Sequence, residues 1–215
     1  MNPLSALPPG AGDGPLSVGV LIFDDVEVLD FAGPFEVFGV TRGASGEFAF
    51  SVETLALASG VVVARNGLQV LPGRAASEVA RLDILVVPGG YGTRREMRNP
   101  AMLDAVRRLN GAAALTLSVC TGALLLGAAG LLRGQAATTH AGAMDELRAL
   151  DCGEVLPEAR VVDNGRILTS AGISAGLDAS LQVVERLLGE TAATETARYM
   201  QYEWRRDGLV RRTAP

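Results

Sequence analysis

Ala113-Ala-Leu-Thr-Leu-Ser-Val-Cys120 passes directly into Thr121-Gly122-Ala-Leu-Leu-Leu-Gly-Ala-Ala-Gly130, and this junction decides the fold. The first run is apolar and rich in β-formers, which predicts a strand buried on both faces; the Gly, Ala and Leu run that follows predicts a sharp turn into a helix. Cys120 sits at that turn. A thiol there is expected to face free N–H groups and the positive end of a helix, which favour thiolate over thiol. Cysteine is also among the most buried and inert residue types, so position alone leaves a structural and a catalytic reading open.

Working outward, Ser17-Val-Gly-Val-Leu-Ile-Phe23 reads as a first strand, and Gly33-Pro34 with Phe35, Val37, Phe38 and Val40 as the start of an amphipathic helix with Pro near its first position. Phe48 to Leu57 alternates like a strand. Val61 to Ala64 and Leu68 to Leu71 form a hairpin pattern around Asn66-Gly67, and Leu82 to Val87 is another buried strand, followed by a tight turn at Pro88-Gly89-Gly90-Tyr91-Gly92. Asn99-Pro100 opens a helix through Leu109. Beyond Cys120 the pattern predicts a helix, a short Thr138-Thr139-His140 strand, a helix through Leu150, and a hairpin from Val161 to Ser170 around Asn164-Gly165. Helices from Leu177 to Leu188 and from Thr191 to about Trp204 close the chain. Strands alternating with helices imply an α/β fold with a mostly parallel sheet, in which ligands collect at the carboxyl ends of strands. Asp30, Gly89-Gly90, Cys120 and Ile173 all fall there.

The 215 residues suit one domain, expected over residues 17–206 between a flexible N-terminal tail (1–16) and a short C-terminal tail (207–215). Hydrophobic residues make up 48% of the chain, yet no apolar stretch approaches the length of a membrane span, so no membrane association is expected. The N-terminal segment has neither a basic start nor an apolar core, so no export signal is visible, and two cysteines in such a chain suit a reducing cytoplasm without a disulfide. All 19 basic residues are Arg and none is Lys, which removes Schiff-base chemistry and a P-loop lysine. One histidine and two distant cysteines make no zinc constellation, so no metal is expected. A net charge of −5 argues against nucleic acid as a partner, although Arg205, Arg206, Arg211 and Arg212 cluster near the end.

Four chemistries compete for these residues. Gly172-Ile-Ser174-Ala-Gly176 matches the G-x-S-x-G serine-hydrolase pattern, but the one histidine, His140, precedes the serine, so Ser174 is expected to cap the following helix. Cys120 and His140 would suit a protease- or amidase-type dyad, against a structural role for a histidine after a Thr-rich strand. Gly89, Gly90 and Gly92 lack dinucleotide-binding spacing; their backbone N–H groups are better used to hold charge developing on a substrate. Finally, Asp30 beside Cys120 would supply an acid whose pKa is raised by burial and by the thiolate, against the alternative that Asp30 caps a helix beginning near Gly33.

Taken together, Gly19-Val-Leu-Ile-Phe-Asp with Val28-Leu-Asp30-Phe-Ala-Gly33-Pro34, Asp83-Ile-Leu-Val-Val-Pro-Gly89-Gly90, Ser118-Val-Cys120-Thr121-Gly122-Ala, Ala137-Thr-Thr-His140 and Ile167-Leu-Thr-Ser-Ala-Gly-Ile173-Ser-Ala-Gly176-Leu-Asp178 resemble the DJ-1/PfpI superfamily and, within it, the isonitrile hydratase group. The resemblance implies a flavodoxin-like three-layer sandwich, related to class I glutamine amidotransferases, usually homodimeric and without a cofactor. It implies Cys120 as nucleophile, Asp30 as the acid beside it and Thr121 where protease-like relatives carry His. It further implies Gly89, Gly90 and Ile173 as groups that orient a small electrophilic substrate such as an isonitrile. Asp30 stands where glyoxalase and deglycase relatives generally use Glu. Ala141-Gly142 stands where relatives often have a bulky aromatic, which points to a different pocket shape. The domain also resembles the ligand-sensing half of some AraC-type regulators, but no helix-turn-helix region is expected after Trp204. Another Cys-dependent small-molecule enzyme, of glyoxalase, deglycase or amidase type, and a Cys120 redox sensor or ligand-binding regulatory domain are the alternatives.

Overall fold

The computed structural model describes residues 14–212. Its chain order is β1 (Leu16–Leu21), α1 (Val28–Val40), β2 (Phe50–Ala56), β3 (Val62–Val63), β4 (Gln69–Val70), β5 (Arg74–Ala75), β6 (Leu82–Val87), α2 (Thr93–Glu96), α3 (Pro100–Ala112), β7 (Ala113–Val119), α4 (Gly122–Ala128), α5 (Met144–Arg148), β8 (Val161–Asp163), β9 (Ile167–Ser170), α6 (Ala175–Leu188), α7 (Glu190–Tyr199) and β10 (Leu209–Arg211).

Eight strands form one sheet in the order β10-β8-β9-β7-β6-β1-β2-β5, parallel throughout except where the β8–β9 hairpin pairs antiparallel. β6 is buried along its whole length and β7 nearly so, as continuous apolar runs must be when helices cover both faces of a sheet. α1 packs against α6 and α7, while α2, α3 and α5 pack against α4, which gives a layer of helices on each side. This is the flavodoxin-like sandwich. The chain leaves β1 toward β2 and later returns to β6 on the other side of β1, so the direction of winding reverses between β1 and β6. The carboxyl ends at such a switch point leave a crevice.

Several local expectations change. α1 begins at Val28, well before Gly33-Pro34, and carries Pro34 in its interior. Proline there removes one helical hydrogen bond, to the Asp30 carbonyl, but Asp30, Phe31, Pro34, Val37 and Phe38 share one buried face, and that packing outweighs the lost bond. Thr138-Thr139-His140 is not a strand; the ladder there is limited to a single bridge between Ala137 and Val155, and His140 opens a short 3₁₀ turn over Ala141–Ala143 that leads into α5. α7 stops at Tyr199 rather than near Trp204. Leu209–Arg211, expected to be tail, adds a parallel strand beside β8, and Leu16, assigned to the N-terminal tail, opens β1; residues 1–13 and 213–215 lie outside the described residues. No helix among the described residues is long and apolar enough to cross a membrane.

Candidate active site

Three chain segments meet over the ends of β1, β6 and β7. The first turn of α1 supplies Asp30, the turn after β6 supplies Gly89 and Gly90, and the turn after β7 supplies Cys120 and Thr121. The Glu27 N–H donates to the Gly89 carbonyl at 2.9 Å, and Val26 pairs with Gly90 in an antiparallel bridge, so the α1 entrance is tied to the glycine turn. Gly89 permits this approach because a Cβ there would stand 2.5 Å from Thr121 N and 2.9 Å from Asp30 Oδ2. The backbone N–H of Gly89 donates to Asp30 Oδ2 at 3.1 Å, and that of Gly90 to Thr121 Oγ1 at 2.9 Å. Both N–H groups expected to hold substrate charge are therefore engaged within the protein, where they orient the acid and the residue after the nucleophile.

Cys120 takes φ 55°, in the left-handed region that costs a non-glycine residue of order 1–3 kcal/mol. Its neighbours over-determine that conformation. Its N–H is shared between the Ser170 and Ala171 carbonyls at 3.2 Å each, and its carbonyl accepts from Thr139 Oγ1 at 2.8 Å. Ile173 is likewise left-handed, at φ 49°, and the backbone N–H groups of Ile173 and Thr121 lie near enough to the Cys120 sulfur to favour its charged form.

The Asp30 carboxyl lies against this thiol with no exposed surface. Oδ1 has no hydrogen-bond partner among the described residues. Burial pushes the acid up to about 7, against the opposing influence of the nearby Cys120 thiol and the Gly89 N–H and with a further rise from the Glu27 charge. Burial likewise pushes the Cys120 thiol up to about 12, reinforced by the Asp30 charge and opposed by the Thr121 and Ile173 N–H groups. The expectation of a thiolate favoured by a helix end is thus corrected: α4 has only seven residues, and desolvation beside a carboxyl outweighs it. Near neutral pH the site holds a thiol and an acid poised to exchange a proton.

A cavity of about 420 Å³ opens over Cys120, lined by Glu27, Tyr91, Arg94, Thr121, His140 and Ile173 among others. Arg94 forms a two-pronged ion pair with Glu146, one contact being Nε to Oε2 at 3.0 Å. The exposed ring of Tyr91 is covered by the Arg65 guanidinium, 4.0 Å from its centroid. Sequence reasoning missed Glu27, Arg94 and this stacking, because no motif marks an arginine that reaches the cavity from a four-residue helix. His140 lines the cavity, but its Nδ1 accepts the Gly142 N–H at 3.0 Å, and the titratable group beside the thiol is Asp30 instead. Ser174 makes no capping bond to α6; its hydroxyl accepts from Arg160 at 3.4 Å. Among the described residues no cluster of His, Cys, Asp and Glu has the makings of a metal site.

The DJ-1/PfpI family profile covers residues 16–186, and the chain belongs to that family. The isonitrile hydratase of Pseudomonas putida is 34% identical over 187 residues, which cover 87% of this chain and 78% of that protein. A crystal structure of a ThiJ/PfpI family protein from Pseudomonas syringae superposes with a TM-score of 0.80 at 30% identity, covering 91% of this chain and 81% of that one. The HTH-type transcriptional regulator GbdR of Pseudomonas aeruginosa is 27% identical across 91% of this chain, which spans 53% of the regulator.

Proposed function

We propose that this chain is an isonitrile hydratase-like lyase, which adds water to R–N≡C through a Cys120 thioimidate and releases an N-substituted formamide. The observation that carries the reading is the buried Asp30–Cys120 pair, one acid and one thiol side by side at the floor of a cavity. The resemblance to isonitrile hydratase supplies the substrate class.

As the sulfur bonds to the terminal carbon, the thiol proton passes to Asp30, and Asp30 delivers a proton to that carbon, giving Cys120–S–CH=N–R. The Thr121 and Ile173 N–H groups carry the charge that develops on sulfur while the proton is in transit. Water then adds across C=N, its oxygen to carbon and a proton to nitrogen. The C–S bond breaks, the hydroxyl proton returns through Asp30 to sulfur, and R–NH–CHO leaves. No cofactor enters this balance. Among the described residues lining the cavity no cation is left unmatched, because the Arg94 charge is paired with Glu146, and the acidic Glu27 disfavours an anion, so the cavity is compatible with a neutral substrate.

The test is formamide formation from p-nitrophenyl isocyanide by the purified protein and by Cys120→Ala and Asp30→Asn variants. Turnover by the parent, lost in both variants, is the expected result. An absence of turnover with a thiol that still alkylates would overturn the reading. It would favour instead a ligand-binding or redox-sensing domain, to which the similarity with GbdR lends support. The reading includes a homodimer, checked by light scattering on the same preparation.

A further inference from the structure

The guanidinium that lines the Cys120 cavity belongs to an ion pair whose other half lies outside that lining. Arg94 enters from α2, a helix whose start is fixed by the Thr93 hydroxyl, which donates to the Gly90 carbonyl at 2.7 Å. Its partner Glu146 sits on α5 and is not itself a lining residue; Met144 and Leu147, buried on either side of it, fix that helix. The guanidinium meets the carboxylate through Nε, at 3.0 Å, and through one terminal nitrogen. Both side chains keep 39% of their surface exposed. A pair that wet adds little to stability, so holding the fold together does not account for a contact made across 52 positions of sequence beside the nucleophile.

The charge of Arg94 is felt at the sulfur. The hydrogen bonds with Glu146 raise the Arg94 pKa against the opposing effect of burial, and the negative charges of Glu146 and of the Cys120 sulfur raise it further. An unmatched arginine at this position would therefore draw anions toward the thiol. Glu146 cancels it, and the carboxylate of Glu27 in the lining adds to the barrier against an anion. Arg65 covers the Tyr91 ring at 4.0 Å from its centroid but stands outside the lining.

We propose that Glu146 is a specificity-determining residue that acts through Arg94: by matching that charge it closes the Cys120 cavity to anionic electrophiles and leaves the thiol to neutral ones. Glu146 touches no reacting atom; it is a positioning residue for the guanidinium. The inference rests on Cys120 as the nucleophile of this cavity, and on the isonitrile reading only in that R–N≡C is one such neutral electrophile. Discrimination of this kind comes from what the site disfavours, because the pair withholds a cation that a carboxylate-bearing substrate would need.

The experiment measures the rates at which iodoacetate and iodoacetamide alkylate Cys120, two labels of nearly equal size that differ by one negative charge. The modified peptide is read by mass spectrometry, with Cys120→Ala as the background for Cys152, and the iodoacetate-to-iodoacetamide ratio is referred to that of a small free thiol. In the parent the ratio is expected to fall below that of the free thiol. Glu146→Gln should raise it about fivefold, the scale of one unit charge acting from about 10 Å through partly hydrated protein, and the gain should disappear in about 1 M salt, where charges are screened beyond about 3 Å. Arg94→Gln should lower the ratio, and the double variant Glu146→Gln with Arg94→Gln should return it to within about twofold of the parent. Asp145→Asn is the control, since it removes the same charge from α5 at a side chain that is 98% exposed and paired with Arg148. An unchanged ratio in Glu146→Gln, a raised ratio that persists in the double variant, or an equal rise in Asp145→Asn would overturn the inference. A general loosening of the structure moves both labels together and leaves the ratio alone. Labelling needs no isonitrile turnover, so selectivity that depends on Glu146 in a protein that hydrates no isonitrile would refute the hydratase reading and leave this inference standing, whereas turnover without that selectivity would do the reverse.

Discussion

A carboxyl group with no exposed surface, as in Asp30, is costly in its charged form unless donors surround it, and among the described residues only the Gly89 backbone N–H donates to it. Its rise to about 7 has two measurable consequences. The first is kinetic. Addition of S–H needs the pair to hold one proton in total on thiol and carboxyl, because a doubly protonated pair has no base to receive the thiol proton. We therefore expect kcat/KM to climb with pH through about 7 and level off above it, with this limb absent from whatever activity remains in Asp30→Asn; a flat profile in the parent would contradict the assignment. The second concerns stability. With a folded value near 7 against 3.8 for the free side chain, the folded state holds this proton more tightly, so the contribution is intact below about pH 4 and is lost as pH rises through about 7. Asp30→Asn should therefore be the more stable protein at about pH 8, by an amount on the order of a few kcal/mol, and should lose that advantage near pH 4, as read by urea unfolding at the two values.

At the scale of elements, the site depends on how closely strand ends and helix starts approach. Gly89→Ala puts a methyl group 2.5 Å from Thr121 N and 2.6 Å from its hydroxyl, against backbone that cannot move without shifting Cys120. We expect a loss of about 1–3 kcal/mol in stability and about a hundredfold in kcat, the scale set by misplacing a reacting group by about 1 Å. Gly111→Ala is the contrast: it lies in α3 with nothing within 4 Å of the added methyl, and should stabilise by about 0.4–1 kcal/mol in the same unfolding assay. Much at this scale was legible. Asn66-Gly67 takes φ 64° and 86°, as a tight hairpin turn requires, and β6 spans the Leu82–Val87 run. The early start of α1 was not legible, because Pro34 reads locally as a helix beginning and only the packing of Phe31 and Phe38 shows otherwise.

Across the whole molecule, the segment after α7 is held back onto the sheet by one buried carboxylate. Asp178, 1% exposed, accepts from Arg160 Nε at 2.6 Å, the Tyr202 hydroxyl at 3.0 Å and the Arg205 N–H at 2.9 Å. These bonds lead the chain to β10, which covers the outer edge of β8. Asp178→Ala leaves the half-buried Arg160 guanidinium without its partner. It should lower stability by about 3 kcal/mol in urea unfolding, with Asp178→Asn intermediate; a loss below about 1 kcal/mol would show that the cluster does not hold the C-terminal segment. The same arginine touches Ser174, next to Ile173, so the cluster also supports the turn that faces the nucleophile.

Periodicity, turn dipeptides and apolar runs are properties of neighbouring residues, and for that reason the sequence by itself determined the parallel α/β sandwich, the hairpins and the placing of Cys120 between a strand and a helix. The resemblance it carries also named Asp30 as the residue to set beside that thiol. Only the tertiary structure decided that the two are buried side by side, that the Gly89 and Gly90 N–H groups are consumed in orienting Asp30 and Thr121, and that Arg94, His140 and Ile173 shape the cavity above. The physical reason is that desolvation and contact depend on what the rest of the chain places around a group. Asp30 and Cys120 become an acid–thiol pair when β1, β6 and β7 align their ends and close water out between them.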